Sequence, residues 1–500
     1  MKKRGPIAIF LLLGLAFLPA WGQSGQPQPP SKTVDGTGLE VQDQPPSQGS
    51  QGDKAQSQQP AQEKTITPEE GKELFRSVDE ILKYASQNTA LPIKQDVKRK
   101  LVRRDEVEAF VQKNMKDDKD AKRLERSEVV LKKFGLLPRD FDLKTFLVAL
   151  LREQVAGYYD PKTRTVNLLN WVDAEQQKPV LAHELTHALQ DQSFGLEKWM
   201  RTVDDKDGDP SPKDIESDED LSARQAVVEG QAMAVLLDYT LAPTGQSLVD
   251  APQIVAALKQ GMLVGGPDTP TFQKAPIFIK ETLTFSYRYG LDFTIALLRA
   301  GGKELAFAGA FKVPPRTTRE IMEPDTYLSH EKIEPVKMLD FAHDFADYQA
   351  FDIGAIGEFD VDVLVQQYAG RDEADALYPQ WRGGYYFAGR AKKNKTGPIG
   401  ILYVSKWANA SKAAEFAAVY AKSLAQRYKK VQALDTNGKP MTDAPPADSW
   451  RTLRGRHAWM TEEGPVVIDV HSDSILISET MDDETTKRVS DDFWGGAKGN

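Results

Sequence analysis

Two of the chain's six histidines fall within five residues, His183-Glu184-Leu185-Thr186-His187, with a carboxylate between them. On an α-helix, positions i and i+4 lie one above the other on the same face, so both imidazoles can reach one ion. Two neutral imidazole nitrogens suit a divalent zinc. Glu184, next to the first histidine, is placed to take a proton from a water that the ion has made acidic. The pattern points to metal-assisted hydrolysis. Val180, Leu181, Ala182, Leu185, Ala188 and Leu189 surround the motif with apolar side chains, which makes a helix buried on most sides. Glu184 then needs a partner, because a buried unpaired charge is costly. Pro179 belongs in a first helical turn, so the helix is expected to start near Lys178 and to end between Gln192 and Gly195.

A catalytic zinc takes three protein ligands and keeps one position open. Glu229 is the candidate third ligand: it sits inside the apolar run 226–235, where a glutamate must be either paired or metal-bound. Arg224 or another base is the alternative partner for it. This second helix is expected to begin at Ser217, with Asp220 in the role of a capping-box residue. Gly230, Ala232 and Ala234 are small enough for close approach to the motif helix. Carboxylates between 197 and 220 are more numerous but lie in a turn-rich, solvated segment.

The motif helix followed by a helix carrying Glu229-Gly230-Gln231-Ala232 resembles the gluzincin branch of zinc metallopeptidases. That resemblance implies His183, His187 and Glu229 as ligands and Glu184 as general base. Gly157-Tyr158-Tyr159-Asp160-Pro161, the stretch His183 to Gln192 and Pro314 to Glu320 also resemble a group of uncharacterised bacterial secreted proteins with the same helix pair. The gap between the motif and Glu229 is longer than in the thermolysin-like pattern, and Met233 stands where an aspartate would orient a histidine. Asp191, one turn after His187, is the candidate substitute. The fold implied is α+β: a mainly helical zincin-like metallopeptidase domain with a small hairpin or sheet over 64–345, then a smaller α+β domain over 346–500.

The elements around the motif follow from local signals. Thr67-Pro68-Glu69-Glu70 starts a helix, and further helices are expected over 104–114, 121–134 and 143–154. The basic run Lys98-Arg99-Lys100 reads as a solvated face. Residues 157–168 read as a β-hairpin with an Asp-Pro turn, whose edge an extended peptide could join. Helical patterning over 275–302 places Tyr287 and Tyr289, which with Arg316 and His330 are candidate donors to a developing oxyanion, although aromatics at this spacing more often form core. His343, His457 and His471 show no ligand spacing. From about Asp347 strands alternate around a helix over 411–428, with no catalytic constellation.

Lys2, Lys3 and Arg4 precede an apolar run from Ile7 to Ala20, which reads as a secretory signal peptide over 1–22 and places the protein in the periplasm or the external medium. No other segment is apolar enough to span a membrane. Residues 23–63, rich in Gln, Pro, Ser and Gly, read as a disordered tether. The chain has no cysteine, and a chain this long buries an adequate core without disulfides. Removing residues 1–22, with three bases and no acid, takes the net charge from -9 to -12, which argues against nucleic acid as a partner. The segment 205–216 has the oxygen spacing of a calcium loop, but Pro210 stands where such a loop needs glycine and argues against Ca2+. The expected function is an exported zinc peptidase acting on a peptide or protein. The alternative is a non-catalytic envelope binding or scaffold protein with a vestigial metal site.

Overall fold

A computed structural model describes residues 65–114, 118–154, 157–201, 210–264, 270–442 and 449–495. The expected signal peptide, the tether and residues 205–209 of the acidic loop lie outside these. The chain is α+β, with a helical N-terminal part and a seven-stranded antiparallel sheet.

Helix α1 (Pro68–Thr89) begins as its sequence dictates: Thr67 accepts from the Glu70 amide, and the Glu70 carboxylate accepts from the Thr67 amide. Strand β1 (Lys98–Val102) follows and carries the basic run, with Lys98 and Lys100 exposed and Arg99 half-buried. Arg99 leans from it onto Asp79 of α1 at 2.9 Å. Helices α2 (Arg104–Asn114), α3 (Asp118–Phe134) and α4 (Leu143–Gln154) lead to the hairpin of β2 (Tyr158–Asp160) and β3 (Thr165–Leu169). Asp160 caps its turn by accepting from the Lys162 amide and the Thr163 hydroxyl. β3 pairs antiparallel with β2 and parallel with β1, in the order β1-β3-β2.

The motif helix α5 spans Ala174–Phe194. It starts four residues before the expected Lys178, because Asp173 accepts from the amides of Glu175 and Gln176 and caps an earlier turn; Pro179 lies inside the helix. Helix α6 (Asp214–Leu241) starts three residues before the expected Ser217, where the Asp214 carboxylate accepts from the Ser211 amide, so Asp220 caps nothing and pairs with Arg224 instead. After α7 (Pro252–Val264), helix α8 (Ile277–Lys303) packs along α6. Their crossing is set by two glycines. A Cβ on Gly230 would fall inside contact distance of the Gly290 backbone, and one on Gly290 would fall onto the Ala226 carbonyl. Gly230 therefore serves the approach of α8, not the approach of the motif helix that its small size suggested.

The C-terminal part contains β4 (Tyr348–Ala355), α9 (Glu358–Ala369), β5 (Trp381–Ala391), β6 (Gly400–Trp407), α10 (Ala410–Arg427), β7 (Val431–Leu434), β8 (Gly455–Thr461), β9 (Gly464–His471), β10 (Ser474–Glu479) and α11 (Asp483–Gly495). The sheet order is β4-β5-β6-β10-β9-β8-β7. Both faces are covered, and side chains alternate between two cores with the two-residue period of a strand. Tyr386, Ala388, Ile401, Tyr403, Ile475 and Ile477 join the core that is continuous with the helical part, while Tyr385, Phe387, Leu402, Val404 and Leu476 pack with Val489 and Phe493 of α11. The helical part is also tied to the sheet by polar contacts: Arg427 donates to the Lys133 carbonyl and pairs with buried Glu479 at 2.7 Å. Gly135, at φ +75°, turns beneath Arg427 and the Tyr368 hydroxyl, where no side chain fits. Among the described residues no helix is long and apolar enough to cross a membrane.

Candidate metal centre

Helices α5 and α6 bring His183, His187 and Glu229 to one point, and none of the three is more than 5% exposed. The two Nε2 atoms are 3.0 Å apart. Glu229 Oε2 lies 3.2 Å from that of His183 and 3.5 Å from that of His187. Two atoms held at about 2.0–2.1 Å by one tetrahedral ion sit about 3.3–3.4 Å apart. The three observed separations bracket that value, so this group could hold a metal ion. Glu229 Oε1 accepts from Gln225 Nε2 at 2.8 Å, which turns Oε2 toward the imidazoles. Arg224, the alternative partner, is elsewhere: it pairs with Asp220 and lies over the Trp199 ring.

Glu184 is 2% exposed and meets its need for a partner through the backbone of the hairpin. The Tyr159 amide donates to its Oε2 at 2.7 Å, while Oε1 is buried and accepts no hydrogen bond among the described residues. The β2 edge amide at Tyr159 is thus committed to holding Glu184 and is not open to an added peptide strand. Burial pushes the Glu184 carboxyl up to about 7, against the opposing pull of His187 and the Tyr159 amide. Burial raises the Glu229 carboxyl as well, but the two imidazoles override it and hold it at about 2. Burial lowers His183, with Glu229 opposing, whereas at His187 the Glu229 charge overcomes burial and raises the imidazole to about 9.

Of the residues named as donors, Tyr287 is at the site and Tyr289 is not. The Tyr287 ring stacks on His183 at 6.3 Å between centroids, and its buried hydroxyl interacts with Glu229. Tyr289, two residues on and so about 200° around the helix, turns its hydroxyl to Asp362 of α9 at 3.4 Å. Arg316 and His330 are exposed, in the segments that flank the helical turn Thr318–Met322 and the one after it. They are not brought to the metal centre. Asp191 is not brought there either: it accepts from the Tyr159 hydroxyl at 3.1 Å and from the Leu196 amide at 3.0 Å. The side chain on the far nitrogen of His187 is Gln190, whose Oε1 lies 2.9 Å from Nδ1. Met233 is fully buried, as part of the apolar core.

The sequence reading missed Gln190, Gln225, Gln231 and Gly290. One signal was present, since side-chain amides set among apolar helix residues need partners as much as a buried acid does. Comparison with protein-family models, curated proteins and solved structures gives no match.

Proposed function

We propose that the chain is an exported zinc-dependent endopeptidase, with a gluzincin-type helix pair in a zincin-like helical part. The observation that carries this is the buried convergence of His183 Nε2, His187 Nε2 and Glu229 Oε2 at separations suited to one tetrahedral ion, with Glu184 anchored beside them. Zinc, when bound, supplies Lewis acidity toward a scissile carbonyl and lowers the pKa of water. Glu184 is the proton carrier: Oε2 is fixed by the Tyr159 amide, so Oε1 takes the proton and delivers it to the leaving amine. Tyr287 is the donor placed to stabilise a developing oxyanion. Export follows from the N-terminal pattern of basic and apolar residues.

The near-complete burial of the three ligands favours one second reading, an envelope binding protein whose metal site is structural. Turnover separates the two. Purified mature protein is expected to bind one zinc, to cleave casein, and to lose that activity to a chelator. Glu184→Gln is expected to keep the zinc and lose the turnover, because it removes the base and no ligand. Equal turnover in Glu184→Gln would refute the proton-transfer role, and zinc binding without turnover in the wild type would leave the structural reading.

A further inference from the structure

We infer that Gln190 and Gln231 are positioning residues: they form a two-amide relay that fixes Nδ1 as the protonated nitrogen of His187 and leaves Nε2 to face the ion. The inference rests on reading His183, His187 and Glu229 as a metal site, and does not need peptidase activity. It starts at the π-helical turn Glu304–Gly309, which follows a break in α8 at Gly301 and Gly302. The wider π turn presents the Ala306 and Phe307 carbonyls to α6. Gln231 Nε2 lies 2.8 Å from the first and 3.2 Å from the second. Two carbonyls on one side of the amide demand its NH2 group there, so Gln231 Oε1 must point the other way. It lies 2.9 Å from Gln190 Nε2, which also donates to the Val228 carbonyl at 3.1 Å. Both amide hydrogens of Gln190 are then used, and its Oε1 faces His187 Nδ1 at 2.9 Å. Only an Nδ1–H satisfies that oxygen.

All four amide hydrogens have acceptors, and reversing either amide would set carbonyl against carbonyl in a fully buried place. The direction of the chain is therefore dictated from its far end. Among the described residues no side chain plays this part for His183.

With six histidines in the chain, ring-15N labelling of the full-length protein loaded with zinc gives a spectrum simple enough to assign. For His187 the expected result is a slowly exchanging proton on Nδ1 and none on Nε2; the reverse pattern would overturn the relay without any variant being made. Gln231→Leu touches neither His187 nor the ion. It is expected to weaken zinc binding about 10–100-fold, as loss of an orienting partner does, and to speed exchange of the Nδ1 proton. Gln192→Leu serves as control, since Gln192 makes three hydrogen bonds to residues 94 and 95 away from the site; it is expected to leave the zinc dissociation constant unchanged. If Gln231→Leu lowers the Tm but keeps the dissociation constant within threefold and the spectrum intact, the two glutamines are helix contacts and the relay is wrong. A wild type that binds no zinc removes the metal site and the relay together. Casein turnover enters neither result.

Discussion

Glu229→Gln is the substitution that bears most directly on the metal centre. It keeps the shape of the side chain and the hydrogen bond from Gln225, but sets an amide where Oε2 now faces two imidazoles. If Glu229 is a ligand, the site loses one of three and its negative charge. About 430 residues lie between Thr65 and Gly495, and an unfolding entropy of about 2.1 cal/mol/K per residue makes one degree of Tm worth ~0.9 kcal/mol if they unfold together. Zinc at a thousandfold over its dissociation constant adds about 4.1 kcal/mol, so the wild-type Tm should rise by about 4–5 °C between chelator and zinc. Loss of a mere orienting partner weakens metal binding up to about 100-fold, and loss of a ligand costs at least that. A 100-fold loss removes about 2.7 kcal/mol and leaves a rise of about 1.5 °C or less. Differential scanning fluorimetry with and without zinc measures this difference, which cancels any effect of the substitution on the metal-free fold. Glu197→Gln and Glu216→Gln should keep the full rise, since Glu197 pairs with Arg201 and Glu216 is exposed on the first turn of α6. A Glu229→Gln protein that still rises by 4 °C would refute the ligand assignment.

Gly230→Ala drives a methyl into the Gly290 backbone, and overpacking of this kind costs about 1–3 kcal/mol. The metal-free Tm should fall by about 1–3 °C, whereas Gly261→Ala, in open space on α7, should be neutral or slightly stabilising; equal behaviour of the two would disprove the tight crossing. Burial, helped by Asp360, pushes the Glu219 carboxyl up to about 8 from the ordinary 4.5, so the folded chain keeps a proton that the unfolded chain has released. Stability should therefore fall as pH rises from about 4.5 to 8, and Glu219→Gln, which has the protonated shape and does not titrate, should flatten the Tm curve over that range; parallel curves would show that Glu219 is not the source. Tyr287→Phe should lower kcat on casein about 100–1000-fold if its hydroxyl is the oxyanion donor, while Tyr289→Phe should stay within twofold. Matching losses in the two would exclude the assignment.

What could be read from the sequence is what one helix decides by itself. The spacing of His183 and His187 puts both rings on one face whatever the helix packs against, and the apolar run around Glu229 forces that carboxylate to find a buried partner. Strands β5, β6 and β10 were legible as short apolar runs, because both of their faces are covered. Contacts set by how elements cross were not legible. Asp191 and Gln190 are neighbours on one helix, and only the approach of α6 decides that Gln190 reaches His187 while Asp191 is held by the hairpin. Tyr287 and Tyr289 looked equivalent in the sequence, and Gly290, which lies between them and the end of α8, settles which of them meets Glu229.

The choice of an amide where a carboxylate would orient a histidine has a physical basis in the burial of this centre. Glu184 and Glu229 are both nearly sealed from solvent, and a divalent ion, if held by the two imidazoles, would balance their two charges. A third buried carboxylate on His187 would leave one negative charge uncompensated, at a cost of several kcal/mol in so dry a place. The Gln190 amide supplies the same acceptor to Nδ1 without that charge. Its own two hydrogens then have to be satisfied, which is why Gln231, the Val228 carbonyl and the π-helical turn belong to the same structure. A neutral orienter thus trades an electrostatic cost for a longer chain of hydrogen bonds, and ties His187 to a segment more than a hundred residues further along the sequence.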